Sequence, residues 1–391
     1  MKRKKYAVAA IAGMTAAGLT IATGCGDAVG MSASTENLTK QYAKEQTDYR
    51  DTEVTSDFAK SYTDFALQLL RESRGSSVKR ESDETAIAAN TMVSPLSVMA
   101  ALEMTSSGAR GETATQMGQV LYGQMESGEA GRELMAYMRG LPSGEKVKFH
   151  FANSLWLHTG DTAFVPSEDF LKNSVADYGA EIYGSLFDEQ TRLDINRWVK
   201  TETDGMIPNM LDWISPDAIL YLINAVAFDA EWQEIYTDIQ VHDADFYLED
   251  GSTKTVSMMY AEEQKFLRDE MATGFVKPYA EDYAFVALLP REGTKVDDYL
   301  AGLTGEDFLR VLENAKSVMV ETALPKFTAD TELELSDIMQ DMGMKLAFDE
   351  ENADFSGMGT CDGGTIYINR VIHKTHIEVD EKGTKAGAAQ L

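Results

Sequence analysis

Hydrophobic side chains recur at helical spacing in the first third of the chain. Between Ser56 and residue 70 they lie three and four positions apart, as on one face of a helix: Phe58, Tyr62, Phe65, Leu69 and Leu70. Ser94 followed by Pro95 predicts the start of a second helix, which runs to Gly108. Thr113–Gln116 forms a capping box, which predicts the start of a third.

Strand patterns dominate the rest of the chain. The runs VKFHFANSLWLH (147–158), AILYLINAVAFDAEW (218–232), YAFVALLP (283–290) and SVMVETALPKF (317–327) predict strands, and the second is apolar enough to be buried on both faces. The run 243–260 predicts two strands joined by a turn at Glu249–Ser252. Helices are predicted at 193–205 and 333–344. The helices are predicted mostly in the first part of the chain and the strands mostly in the later part, and the sequence has no internal repeat. This distribution indicates one α+β domain.

The first 24 residues have the pattern of an export signal. A basic segment, Lys2–Lys5, precedes an apolar stretch at 7–22 that is short for a membrane span. Ala22–Cys25 (ATGC) resembles a bacterial lipobox, so we expect Cys25 to be lipidated and the protein to be anchored outside the cell membrane. A plain secretion signal and an uncleaved anchor are the alternatives. The polar residues 25–52 predict a flexible tether, and 53–391 the folded domain.

Charge and composition exclude several classes of function. The formal net charge is −29, which disfavours binding to nucleic acid or to an anionic membrane surface and favours basic partners. The two cysteines are Cys25 and Cys361, so lipidation of Cys25 leaves no internal disulfide. The chain has no GxSxG, HExxH or P-loop motif. We therefore expect neither an enzyme nor a cofactor or metal site.

Four segments together resemble a protein family. They are NTMVSPLSVMAALEMTSSGARGETATQM, LINAVAFDAEW, LPKFTADTELELSDIMQDMGMKLAFDEENADFSGM and VIHKTHIEVDEKGTKAGAA. In this order they resemble a serpin, a member of the serine protease inhibitor superfamily, from about Phe58 to the last residue. The resemblance implies an α+β fold of about nine helices and three β-sheets, with a dominant central sheet that is five-stranded in the active form.

The same resemblance implies a function. Serpins inhibit serine proteases, and less often cysteine proteases, as suicide substrates. The protease cleaves an exposed reactive loop and forms an acyl-enzyme, and the loop then inserts into the central sheet and traps it. We expect this activity, without catalysis, in a monomer. The alternative is a non-inhibitory serpin-like surface binding protein or an inactive truncated serpin.

The C-terminal segment is similar to the hinge of that reactive loop. The hinge residues are Gly383, Thr384, Lys385, Ala386, Gly387, Ala388 and Ala389. In the family register, four side chains face the core after insertion: Thr384, Ala386, Ala388 and Gln390. Three face outward: Lys385, Gly387 and Ala389. The family usually has Glu at Lys385 and a small residue at Gln390, and a buried Gln needs partners.

Other residues match the elements that control the opening of the sheet. His373 falls on the apolar face of the predicted strand HKTHIEVD, and Asn224 interrupts the apolar run LINAVAF, so both need buried partners. The resemblance joins them to Ser94 and Ser97 as the shutter. Trp232 matches the breach, where the loop first enters.

The end of the chain raises a separate expectation. Members of the family continue beyond the position of Leu391 with the scissile bond and closing strands. We therefore expect the C-terminal strands and the reactive bond to be missing.

Overall fold

The computed structural model describes residues 30–80, 90–160, 164–215, 217–248, 251–362 and 364–391. Within these ranges the chain forms nine α-helices: α1 (Ser56–Arg80), α2 (Pro95–Ser106), α3 (Gly111–Tyr122), α4 (Ser127–Gly140), α5 (Glu168–Tyr178), α6 (Glu189–Glu202), α7 (Val296–Gly302), α8 (Gly305–Glu313) and α9 (Ser336–Met342). None of the helices described is both long enough and apolar enough to cross a membrane.

The strands of the described residues divide among three sheets. They are β1 (Glu36–Asn37), β2 (Val147–His158), β3 (Phe164–Pro166), β4 (Glu181–Ser185), β5 (Leu220–Glu231), β6 (Val241–Tyr247), β7 (Thr253–Arg268), β8 (Ala272–Pro278), β9 (Ala284–Pro290), β10 (Lys316–Pro325), β11 (Phe327–Glu334), β12 (Gly359–Cys361), β13 (Ile372–Val379) and β14 (Gly383–Gln390). This α+β arrangement of nine helices and three sheets confirms the fold expected from the sequence.

The largest sheet has the strand order β1-β4-β2-β5-β14-β13-β11. Its strands are antiparallel except for the parallel pair β2 and β4. One face packs on a large core that includes α2, and α6 covers part of the other face. The second sheet, β10-β7-β8-β9 with β6 paired to β7, shares a smaller core with the central sheet around Trp232.

The C-terminal residues form part of this central sheet. β13 and β14 are antiparallel neighbours, and β14 also pairs with β5. The expectation that C-terminal strands are missing is therefore not supported, because strands extend to Gln390. Gly383–Gln390, the segment that resembles the hinge, forms β14 between β5 and β13.

Two local predictions need correction. The capping box at Thr113 does not start a helix, because α3 begins at Gly111 and the Thr113 hydroxyl instead accepts a hydrogen bond from the Asp354 backbone N–H at 3.0 Å. Gly30 to residue 52 do not form a free tether throughout. The Ser32 hydroxyl donates to Asp194 Oδ2 at 2.5 Å, and β1 pairs with β4.

Some predictions lie outside the described residues. These are the export signal at 1–24 and the lipid attachment site at Cys25. The predicted turn at 249–252 is described only from Gly251, and the strands on either side of it, β6 and β7, pair as expected.

Candidate functional site

The hinge segment forms a fully paired strand in the centre of the large sheet. On one side, Gly383 to Gln390 lie opposite residues 231 to 224 of β5. On the other, Thr384 to Gln390 lie opposite residues 379 to 373 of β13. The segment has one consistent register with both neighbours.

Small side chains allow this strand to fit between its neighbours. Ala388 and Ala389 are 3% and 0% exposed. At Gly387 a Cβ atom would lie 2.8 Å from the Met206 Cβ, closer than carbon atoms pack, so even an alanine there would force Met206 to shift. A bulky residue at these positions would have to displace the segment that follows α6.

The faces of the hinge strand follow the predicted alternation at Thr384 and Lys385, but Gly387 and Ala389, which were both expected to face outward, are buried. The Thr384 hydroxyl accepts a hydrogen bond from the Tyr279 hydroxyl at 2.6 Å inside the core, while Lys385 is exposed on the opposite face. Ala389 was expected to face outward, and it lies on that side of the sheet. It is nevertheless buried, because α6 and the segment that follows it cover this part of the sheet and share a buried apolar cluster with Ala389, which includes Trp198 and Ile207.

The four residues assigned to the shutter come together beneath α2. The Ser97 hydroxyl donates to Asn224 Oδ1 at 2.7 Å, and the backbone N–H of Ser94 donates to His373 Nε2 at 3.0 Å. Ser97, Asn224 and His373 are at most 1% exposed. These contacts tie α2 to two strands, β5 and β13, that lie on either side of the hinge strand.

Burial sets the protonation state of the histidine. It lowers the pKa of His373 to about 4, and the nearby Ala389 carbonyl and Gln390 side chain oppose this effect only in part. His373 is therefore neutral at physiological pH. Its Nε2 atom accepts the Ser94 N–H, so the proton of the neutral ring lies on Nδ1.

Sequence reasoning missed three further members of this polar network. Asn153 accepts a hydrogen bond from Asn224 Nδ2 at 3.0 Å and donates to the Tyr178 carbonyl at 2.8 Å. The Tyr178 hydroxyl in turn donates to Glu103 on α2 at 3.3 Å. A polar residue within an apolar run was the available signal, because Asn153 interrupts FANSLWL as Asn224 interrupts LINAVAF, and Glu103 is the one acid in α2.

Trp232 marks the opposite end of the hinge strand. It is 1% exposed, and its Nε1–H donates to the Asp380 carbonyl at 2.8 Å at the turn between β13 and β14. Its indole ring stacks on Tyr279 with the ring centroids 4.4 Å apart. Because Tyr279 also holds Thr384, this aromatic pair contacts both the turn and the first residues of the hinge strand.

A buried ion pair supports this end of the strand. Lys277 Nζ lies 2.8 Å from Glu263 Oε1, with only 3% and 8% of the two side chains exposed. The ammonium group also lies 4.3 Å from the centre of the Tyr236 ring and 5.4 Å from that of Trp232. The pair fixes charged groups next to Trp232, where the loss of one partner would leave the other buried and uncompensated.

Charges alternate across the exposed face of the sheet at Lys385. Strand register places Lys385 between Asp229 on β5 and Glu378 on β13, and places Lys148 on β2 opposite Asp229. Opposite charges on neighbouring strands stabilise a sheet modestly. Lysine at this position, where the family usually has glutamate, thus suits the inserted strand in this chain.

Within the described part of the chain, no group of three or more His, Cys, Asp or Glu side chains is placed to hold a metal ion. Cys361 is a free, half-buried cysteine in the short strand β12.

Comparisons with known proteins agree with this arrangement. Residues 60–391 match the family model described as serpin (serine protease inhibitor). The chain is 30% identical to the leukocyte elastase inhibitor of Equus caballus over 346 residues, covering 84% of this chain and 86% of that protein. It is 33% identical to Serpin B8 of Homo sapiens over 315 residues, covering 77% and 82%.

Two solved structures of a thermophilic serpin, tengpin, are similar to this fold. The latent state gives a TM-score of 0.79 at 41% identity, covering 86% of this chain and 89% of that one. The native state gives a TM-score of 0.80 at 39% identity, covering 89% and 87%.

Proposed function

The chain belongs to the serpin family, and from that premise we propose that it inhibits proteases by acting as a suicide substrate. Serine proteases are the expected targets and cysteine proteases the alternative. The position of Gly383–Gln390 carries the proposal, since this segment fits as a strand between β5 and β13 in the middle of the central sheet. A segment that can enter an existing sheet is the moving part that this mechanism requires.

The proposed mechanism uses the free energy of strand insertion. The serine Oγ of the protease attacks the carbonyl of a reactive bond C-terminal to the hinge, an ester joins the two proteins, and the amine leaves with a proton. Insertion of the hinge then carries the attached protease along the sheet before water hydrolyses the ester. The form with an exposed loop is therefore held kinetically, and the form with β14 in place is the more stable one.

The polar network beneath α2 supports control of this step. The backbone N–H of Ser94, directly before α2, binds His373 on β13, and the Ser97 hydroxyl on α2 binds Asn224 on β5. These are the two strands that must separate to admit the hinge. We propose that these contacts act as the shutter and that Trp232 acts at the breach, where the hinge strand begins.

The test is a search for a covalent complex. The product of the complete coding sequence is incubated with trypsin-like, chymotrypsin-like and elastase-like serine proteases and with a papain-like cysteine protease. The proposal predicts an SDS-stable adduct with at least one of them. Cleaved, released protein with no adduct across the panel would contradict it.

A matched pair of hinge variants makes the test specific. Thr384→Arg places a charged side chain at a buried position against Tyr279, so the variant should be cleaved without forming an adduct. Lys385→Arg keeps the charge at an exposed neighbouring position and should form the adduct as the wild type does.

A second candidate is a non-inhibitory serpin-like surface binding protein. It is favoured by the hinge already lying in the sheet, because a protein that always has this strand inserted offers no loop to a protease. A panel that yields neither adduct nor cleavage would support this candidate.

We also propose that the protein is exported and anchored by a lipid on Cys25. The support is the basic, apolar and lipobox-like pattern of the first 25 residues. Metabolic labelling with radioactive palmitate in a bacterial host should mark the wild type and not Cys25→Ser. Equal labelling of both proteins would contradict the lipid anchor.

A further inference from the structure

Gln390 lies in a row of buried polar side chains that crosses four neighbouring strands. Strand register places Asn153 opposite Asn224, Asn224 opposite Gln390, and Gln390 opposite His373. Each of the four residues is at most 3% exposed. Because neighbouring strands lie about 4.8 Å apart, each side chain in the row is next to the following one.

His373 contributes a buried donor to this row. The Ser94 N–H donates a hydrogen bond to His373 Nε2, so the proton of the neutral ring lies on Nδ1. Among the described residues, Nδ1 has no partner within hydrogen-bonding geometry. A buried donor without an acceptor is destabilising, so an acceptor that reaches Nδ1 would stabilise the fold appreciably.

Gln390 contributes the complementary acceptor. Its Nε2 donates to the Leu391 carbonyl at 3.2 Å, while its Oε1 is buried and, within the described part of the chain, also has no partner. The two unpaired atoms thus belong to residues at directly opposed positions on adjacent strands. The backbone carbonyl of Ala389 also lies near the ring and is the competing acceptor.

We propose that Gln390 is a positioning residue of the inserted strand, whose Oε1 accepts the Nδ1–H of His373 and thereby fixes the register of β14. This inference rests on the proposed function, because the acceptor reaches His373 only when the hinge is in the sheet. The glutamine at this position, where the family usually has a small residue, then completes the row between Asn224 and His373. A slip of β14 by one residue would turn Gln390 to the other face of the sheet and break the contact.

The test observes the histidine itself in the inserted protein, without any protease. The full chain is labelled with ¹⁵N-histidine and heated to convert it to the latent form, in which the hinge is in the sheet. NMR spectra of this form assign the tautomer of His373 and the exchange rate of its ring proton with water. We expect a proton on Nδ1 that exchanges slowly. A proton on Nε2 in the wild type would overturn the proposal whether or not any variant folds.

Variants separate the two possible acceptors. Gln390→Met keeps the length of the side chain and removes the acceptor, so exchange of the Nδ1 proton should become at least about tenfold faster, which is the effect of losing a single hydrogen bond. Ala386→Ser lies on the same strand, remote from His373, and should leave the rate unchanged. An unchanged rate and chemical shift in Gln390→Met would assign the bond to the Ala389 carbonyl and overturn the proposal.

Failure of this inference is distinct from failure of the proposed function. A protein that traps no protease would still show the Nδ1 proton and its dependence on Gln390 if the contact exists. If the protein forms the adduct but the exchange rate does not depend on Gln390, the proposed function stands and the proposed role of Gln390 is refuted.

Discussion

Replacing Glu103 with glutamine should stabilise the inserted protein at neutral and alkaline pH. Glu103 lies on α2, is 8% exposed, and accepts hydrogen bonds from the hydroxyls of Tyr122 at 2.9 Å and Tyr178 at 3.3 Å. Burial raises the pKa of Glu103 from 4.5 to about 7, against the opposing effect of the two tyrosines. The native state therefore holds a proton that the unfolded chain has already released.

The sign and size of the effect of pH on stability follow from this difference between the folded and unfolded pKa of Glu103. Because the pKa is raised on folding, the stability associated with Glu103 is complete below pH 4.5 and is lost as pH rises through about 7. The loss amounts to about 3 kcal/mol at pH 8 and about 1 kcal/mol at pH 5, at 1.36 kcal/mol per pH unit. Glu103→Gln is neutral at every pH and should not suffer this loss.

Urea unfolding at pH 5 and pH 8 measures the effect. We expect Glu103→Gln to exceed the wild type by about 3 kcal/mol at pH 8 and by about 1 kcal/mol at pH 5. The contribution of His373 has the opposite sign, but it is common to both proteins and cancels in the difference. Glu112→Gln, at an exposed position on α3, is the control and should show neither effect. A variant less stable than the wild type at pH 8, or a difference independent of pH, would refute the reasoning.

Three further substitutions test other parts of the structure. Lys277→Met leaves Glu263 buried and unpaired, so urea unfolding should show a free energy of unfolding lower by about 3–5 kcal/mol. The double variant Lys277→Met/Glu263→Leu should recover most of this loss. Equal losses in the single and double variants would contradict the ion-pair argument. Lys385→Glu places three carboxylates opposite one another on neighbouring strands and should lower the stability of the inserted form by about 1 kcal/mol in the same assay. Unchanged stability would show that the charge of Lys385 does not stabilise the inserted strand. His373→Ala removes the contact to α2, so native gels after heating should show faster conversion to latent or polymeric forms; unchanged behaviour would count against the shutter.

The sequence allowed the fold and most of the site residues to be predicted, because their signals are local or follow the family pattern. Asn224 and His373 stand out as polar residues on apolar strands, and buried polar groups need partners. The structure supplies those partners in Ser97 and the Ser94 backbone. Asn153 carries the same signal as Asn224 and was open to the same inference.

The remaining features depend on contacts between distant segments. The row that joins Gln390 to His373 exists only because two strands pair in one register, and a one-residue slip would remove it. Thr113 has the local pattern of a helix cap, but its hydroxyl is used by Asp354, 241 residues away. Ser32 lies in a polar segment that looks unstructured, and a buried carboxylate, Asp194, holds it in place.

Amide hydrogen exchange of Gly383–Gln390 tests the central claim most directly. The claim is that this segment moves from an exposed loop to the centre of the sheet when a protease cleaves the protein. Freshly purified protein should show rapid exchange at these amides, and the same amides should become protected after reaction with a protease, because β14 then pairs with both neighbours. Equal protection before and after the reaction would mean that β14 is a permanent strand, and it would contradict inhibition by insertion.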